Sequence, residues 1–234
     1  MLDRASAERH LSPPPVLVPD LPGYGRNVHA GTISVQAAAD HVHAEILAAG
    51  FQNAHIAGHS VGGAVAVLLA HRHPEVVRSV IDVEGNFTLK DAFWSKKMAE
   101  MNPAEAKTLL EGYRADPAAW LSRNGIEPTA ERVATASKGF SAQPASTLQA
   151  IARSVVEVTA KPGSLDTVRQ ILDRGTAIHL VAGERSRKGW DIPGFVAARA
   201  ASMTVQPAVG HMMMLEDPAG FYAIIAGLAS PEHP

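Results

Sequence analysis

The pentapeptide Gly58-His59-Ser60-Val61-Gly62 is the part of the sequence best suited to chemistry. A hydroxyl is a weak nucleophile until it is held exposed, beside a base and near donors for the oxyanion that forms after attack. A sharp turn between a strand and a helix supplies those conditions. Small residues at its ends admit a strained backbone and close helix packing, and the first helical N–H, here that of Val61, points at developing negative charge. Five residues alone are a weak signal. Their surroundings strengthen it: Asn53-Ala54-His55-Ile56-Ala57-Gly58 reads as an apolar strand, and Val61 to about His73, with an added Gly63, as a helix halted by Pro74.

An activated serine needs a base. His211 follows the last apolar run, Met203-Thr204-Val205-Gln206, in a loop from which an imidazole can take the proton of Ser60 and return it to a leaving group. The other histidines read as structural: His41 and His43 are two apart on a helix and so point apart, and His71 and His73 end a helix. An acid must orient that base, and Glu84, at the end of the strand Ser79-Val80-Ile81-Asp82-Val83-Glu84, is one candidate. Glu184, Asp191 and Asp82 are the alternatives, and Asp20 reads as structural. The chain contains no cysteine, which excludes disulfides, thiolate nucleophiles and Cys-ligated metals; neither a metal nor an organic cofactor is expected.

The elements that must position these groups alternate. Residues 15–20 read as a buried strand, 34–48 as a helix stopped by Gly50, 177–182 and 203–206 as strands, and a last helix starts at Asp217 as N-cap with Pro218 in its first turn. This order implies an α/β architecture, a doubly wound, mostly parallel sheet covered on both faces. Between residues 86 and 174 the rhythm gives way to helical patterns rich in aromatics and methionine. The expected organisation is therefore a core of residues 1–85 and 175–234 with a helical cap over 86–174. His59, Trp94, Met98 and Met212 are expected to line a substrate pocket; the plainer alternative gives the apolar residues of 86–174 to that segment's own core.

Composition sets outer bounds. Of 234 residues 46% are apolar and 19% charged, enough to bury a sizeable core, and the net charge of −2 from 21 basic and 23 acidic residues gives no electrostatic reason to bind nucleic acid or an anionic membrane. No apolar run is long enough to span a bilayer and Met1-Leu2-Asp3-Arg4-Ala5 does not open a secretory signal, so a cytoplasmic location is expected. The expected partner is a small-molecule substrate; the sequence leaves homo-oligomer formation open.

Three blocks in order, Asp20-Leu21-Pro22-Gly23-Tyr24-Gly25 after an apolar run, the serine pentapeptide, and Gly210-His211 followed by Leu215-Glu216-Asp217-Pro218, resemble the α/β-hydrolase superfamily with a cap domain. The resemblance implies Ser60 as nucleophile, Val61 N–H in the oxyanion hole and His211 as base. It puts the commonest acid position at Ser186, which cannot balance an imidazolium. Some haloalkane dehalogenases and lactonases place the acid where Glu84 stands. A serine rather than an aspartate at the elbow argues against dehalogenases and epoxide hydrolases. The implied activity is cleavage of a small, moderately hydrophobic carboxylic ester or lactone through an acyl-enzyme. Amide, thioester or carbon–carbon bond hydrolysis in the same fold, or binding without turnover, are the alternatives. The family's earlier strands and its His-Gly oxyanion loop have no counterpart. The fold is thus expected to be N-terminally shortened, with Leu2 to Leu11 as the helix after that loop, or the reading frame to begin upstream of Met1.

Overall fold

A computed structural model of the chain describes residues 15–29 and 31–230. Its centre is a four-stranded parallel sheet in the order β1 (Ala54–His59), β2 (Val77–Val83), β3 (Ala177–Gly183) and β4 (Ser202–Gln206). Parallel strands need crossovers. The first is helix α2 (Val61–Arg72), which leaves the end of β1 directly; α1 (Val35–Ala48) precedes β1.

Local sequence explains these bounds. Ser34 caps α1, its hydroxyl accepting the Ala37 N–H at 3.0 Å, and Gly50 just past the helix takes a left-handed φ of 73°. Val35, Ala38, Ala39 and Ile46 form the buried face of α1. Helix α2 stops before Pro74, which opens a short turn leading into β2.

Strand β2 is buried at all but one position, and its alternating side chains serve two cores. Val80 packs with Ile178 and Leu180 of β3 on the face covered by α1 and α2. Ile81 and Val83 join Val181, Val209 and Met213 on the other face, under the last helix.

Between β2 and β3 the chain makes a run of helices: α3 (Phe93–Glu100), α4 (Pro103–Ala115), α5 (Pro117–Arg123), α6 (Ala130–Ser141), α7 (Ala145–Ala160) and α8 (Ser164–Asp173). A short helix α9 (Gly194–Arg199) joins β3 to β4. After β4 come α10 (Met213–Glu216) and α11 (Pro218–Leu228), the latter capped by Asp217, which accepts the Gly220 N–H at 3.0 Å.

One expected element is absent. Residues 15–20 form no strand; Val16 and Val18 are 65% and 81% exposed. An apolar run becomes a strand only beside a partner. Among the described residues β1 is an edge strand paired only with β2, and Pro15 and Pro19 have no N–H to offer a ladder. The expected helix from Leu2 to Leu11 lies outside the described residues.

Candidate active site

Ser60 stands between the end of β1 and the first turn of α2 with φ 52° and ψ −117°, a conformation an L-residue adopts only when its surroundings impose it. Three things impose it here. The Ser60 N–H continues the sheet by donating to the Val83 carbonyl at 3.0 Å, and the Ser60 carbonyl accepts the Gly63 N–H at 2.9 Å. The third is close packing: a Cβ on Gly58 would lie 2.2 Å from the Gly62 carbonyl oxygen, and one on Gly63 would lie 2.5 Å from Gly85 Cα, whereas one on Gly62 would meet open space. The close approach of α2 therefore depends on Gly58 and Gly63 rather than on both ends of the pentapeptide. At the start of α2 the Val61 N–H is the first donor of the helix, with no carbonyl four residues back in the same helix to accept it.

The next strand end is strained as well. Glu84, one residue past β2, has φ 43°. Its backbone N–H donates to the Val181 carbonyl at 3.0 Å, which fixes the turn and swings the side chain across the end of β3. There Oε1 accepts the Gly183 N–H at 2.9 Å and the Ser186 hydroxyl at 2.6 Å, while Oε2 faces His211 Nδ1 at 2.6 Å. Burial alone would raise the pKa of Glu84, but the bonds from His211, Ser186 and Gly183 outweigh it and hold the carboxyl below its ordinary value. The carboxylate side chain is 4% exposed and the imidazole 44%. A buried anion thus holds an accessible ring by Nδ1.

The loop bearing His211 is tied down from several sides. Glu216 Oε1 accepts the Gly210 N–H at 2.7 Å and Oε2 pairs with Arg185 at 2.6 Å; Arg185 also donates to the Ala208 carbonyl at 2.7 Å. Glu184 Oε2 accepts the Ala208 N–H at 2.8 Å. From the helical insertion, Arg132 of α6 donates to the carbonyls of Leu215 and Glu216 at 3.1 and 2.6 Å. His59, the neighbour of Ser60, joins the elbow to this loop: its Nε2–H donates to the His211 carbonyl at 2.9 Å, and the two rings lie 4.5 Å apart. Burial first, then the nearby His211, pushes the His59 imidazole down to about 4, so near neutral pH it is an uncharged donor.

The other carboxylates considered from sequence have different partners. Glu184 holds Ala208, and Asp191 accepts from Thr88 at 2.9 Å and pairs with Lys90 at 3.1 Å. Asp82 is buried beneath the elbow, with Oδ1 on the Gly85 N–H at 2.7 Å and Oδ2 without a hydrogen-bond partner; burial pushes it up to about 7. Asp20 is structural, accepting from the Arg26 backbone and guanidinium at 3.2 and 3.0 Å.

Of the four residues expected to line a pocket, Met98 departs from expectation. It is 1% exposed and packs against Ala106 and Ala152 in the core of the insertion, where a substrate cannot reach it. Trp94 packs at the edge of that cluster, Met212 packs against a second cluster of Leu121, Ile126 and Ala136, and His59 is the loop anchor described above. A cavity of about 260 Å³ is bounded by Val35, Ala64, Leu68, Phe87, Val158 and Thr167, its walls supplied by α1, α2, α7, α8 and the loop after β2; Ser60, Glu84 and His211 are not among them.

A parallel sheet whose carboxyl ends carry a strained serine, a buried acid and a histidine loop is the architecture of the α/β hydrolases. Residues 2–224 match the profile of the Alpha/beta hydrolase family, and the chain belongs to that family. It is 47% identical over 66 residues to a Pimeloyl-(acyl-carrier protein) methyl ester esterase of Neisseria meningitidis serogroup C, a stretch that is 28% of this chain and only 24% of that protein. Among solved structures it is similar to a thermophilic esterase from Thermogutta terrifontis, with TM-score 0.65 and 20% identity over 91% of this chain and 80% of that one. It is also similar to MenH from S. aureus, with TM-score 0.64 and 19% identity over 88% of this chain and 80% of that one. At these identities the structural likeness is one of fold. Among the described residues no helix is long and apolar enough to cross a membrane.

Proposed function

We propose that the chain is a serine esterase in which Ser60, His211 and Glu84 act as nucleophile, base and acid on a small, moderately hydrophobic carboxylic ester or lactone. The observation that carries this reading is the 2.6 Å contact between Glu84 Oε2 and His211 Nδ1, made beside a serine held at φ 52°. With Nδ1–H bound to Glu84, His211 Nε2 takes the proton of Ser60 as its oxygen attacks the substrate carbonyl. The Val61 N–H stabilises the oxyanion. His211 then returns the proton to the departing alcohol, and an attacking water, deprotonated by the same imidazole, releases the acid and restores Ser60.

Helices α3 to α6 act as a cap, anchored to the histidine loop through Arg132, whereas Val155 of α7 and Val168 and Ile171 of α8 lie in the core shared with the sheet, so the cap is shorter than residues 86–174. The short similarity to a methyl ester esterase and the fold-level likeness to esterases support an ester as the bond cleaved. A panel of short-chain p-nitrophenyl esters, methyl esters, lactones and anilides tests the reading. Turnover of esters or lactones that disappears in Ser60→Ala is the expected result. A folded protein that cleaves only anilides, or none of the panel, overturns the choice of bond.

A further inference from the structure

The far end of α2 carries a group of side chains that hydrolysis does not use. His43 of α1, His73 at the C-cap of α2 and Glu75 in the turn that follows each place one donor atom within 4.8 Å of the other two. His43 Nε2 is 3.4 Å from Glu75 Oε1, and His73 Nδ1 is 3.7 Å from the same oxygen. Donors bound to a tetrahedral zinc ion at about 2.0–2.1 Å stand about 3.3 Å from one another. We propose that His43, His73 and Glu75 form a binding site for a divalent transition cation, zinc above all.

The surroundings of His73 are those of a metal-binding imidazole. Its other nitrogen, Nε2, lies 3.1 Å from Asp40 Oδ1. Asp40 is itself gripped by Arg72, Nε to Oδ1 at 3.0 Å and Nη2 to Oδ2 at 3.1 Å. A carboxylate on Nε2 keeps the proton there and leaves the Nδ1 lone pair free for a metal, the outer-shell arrangement that orients histidine ligands.

Two imidazoles and a carboxylate suit zinc and its neighbours better than magnesium or calcium, which favour oxygen alone. The group opens to solvent, the histidine side chains being 22% and 21% exposed and Glu75 61%, so an ion can enter and water can complete its shell. The two rings stack at 3.8 Å, nearly parallel at 10°. Lone pairs in parallel planes do not converge, so binding turns the rings out of the stack about χ2, a broad torsion.

Sequence spacing hides this group because it pairs His43 with His41 and His73 with His71, whereas the fold pairs one member of each. The ion would tie α1 to the end of α2 and to the turn that feeds β2. Helix α2 is 12 residues long, which at 1.5 Å per residue puts the group about 18 Å from Ser60. Its effect is therefore on stability rather than on the chemical step.

Metal-freed full chain is titrated with Zn²⁺ by calorimetry and followed by thermal unfolding. The expected result is saturable binding of one Zn²⁺ per chain below about 100 µM, with a melting temperature that rises with free Zn²⁺. Glu75→Gln and His43→Ala should each weaken binding at least tenfold, and Asp40→Asn about tenfold, while His211→Ala binds as the parent does. Circular dichroism in chelator shows which variants keep the fold; Glu75 is exposed, so Glu75→Gln serves even if His43→Ala does not fold. No saturable binding by the parent chain overturns the proposal. So does a folded Glu75→Gln that binds as tightly as the parent, or loss of the ion in His211→Ala instead.

Discussion

Replacing Glu84 by glutamine keeps the side chain's size and removes its charge. Oε1 can still accept from Gly183 and Ser186, as it does at 2.9 and 2.6 Å, so the strained turn at φ 43° keeps its anchors. The change falls on the 2.6 Å contact with His211. An amide NH₂ there donates where the carboxylate accepted, and the imidazole answers by moving its proton from Nδ1 to Nε2. In that tautomer Nε2 has no lone pair to receive the proton of Ser60, and the imidazolium of the transition state loses its counter-charge. In enzymes with this relay such a change lowers kcat about 10⁴-fold, or about 5 kcal/mol. Steady-state hydrolysis of a p-nitrophenyl ester, with circular dichroism to show that the fold survives, measures it. Glu184→Gln, which removes only the charge facing the Ala208 N–H, should leave kcat within about tenfold. If Glu84→Gln keeps kcat within about tenfold of the parent, or if Glu184→Gln is the variant that fails, Glu84 is not the acid.

Two further expectations concern the packing beneath the elbow. Asp82 has an ordinary value of 3.8 and is held up to about 7 by burial, so between those values the folded chain keeps a proton that the unfolded chain has lost. Its contribution to stability therefore falls as pH rises from about 4 to 7, by roughly 4 kcal/mol at most. Asp82→Asn mimics the protonated form and should match the parent in urea unfolding at pH 3 but exceed it at pH 8; equal stability at pH 8 would show that the buried carboxyl carries no such penalty. Gly63→Ala forces a methyl group to within 2.5 Å of Gly85 Cα and should destabilise by about 1–3 kcal/mol, whereas Gly62→Ala enters open space and should leave thermal unfolding unchanged. Equal shifts for the two would contradict the packing described for α2.

Much of the fold is legible in the sequence because local chemistry sets it. Hydrophobic period and stop signals mark β1, α2 and β2 to within two residues, since the glycines, Pro74 and the apolar runs act on their near neighbours. Asp217 and Pro218 mark the last helix in the same way. What escapes depends on distant residues. The run at 15–20 has strand character but pairs with no strand among the described residues. Met98 has the type of a pocket residue, yet Ala106 and Ala152 enclose it. Ser186 cannot itself serve as an acid, and in the fold its hydroxyl donates to Glu84 instead. Arg185 and Glu216 hold the histidine loop through a pair that spans two strand ends; the one signal is the position of Glu216 between His211 and the Asp217 cap.

An activated Ser60 hydroxyl is open to covalent capture. Full-length protein is treated with a fluorophosphonate and the adduct located by peptide mass spectrometry. Stoichiometric modification of Ser60 is expected, absent in Ser60→Ala and strongly slowed in Glu84→Gln. A folded protein that stays unlabelled, or an adduct on a residue other than Ser60, would contradict the claim.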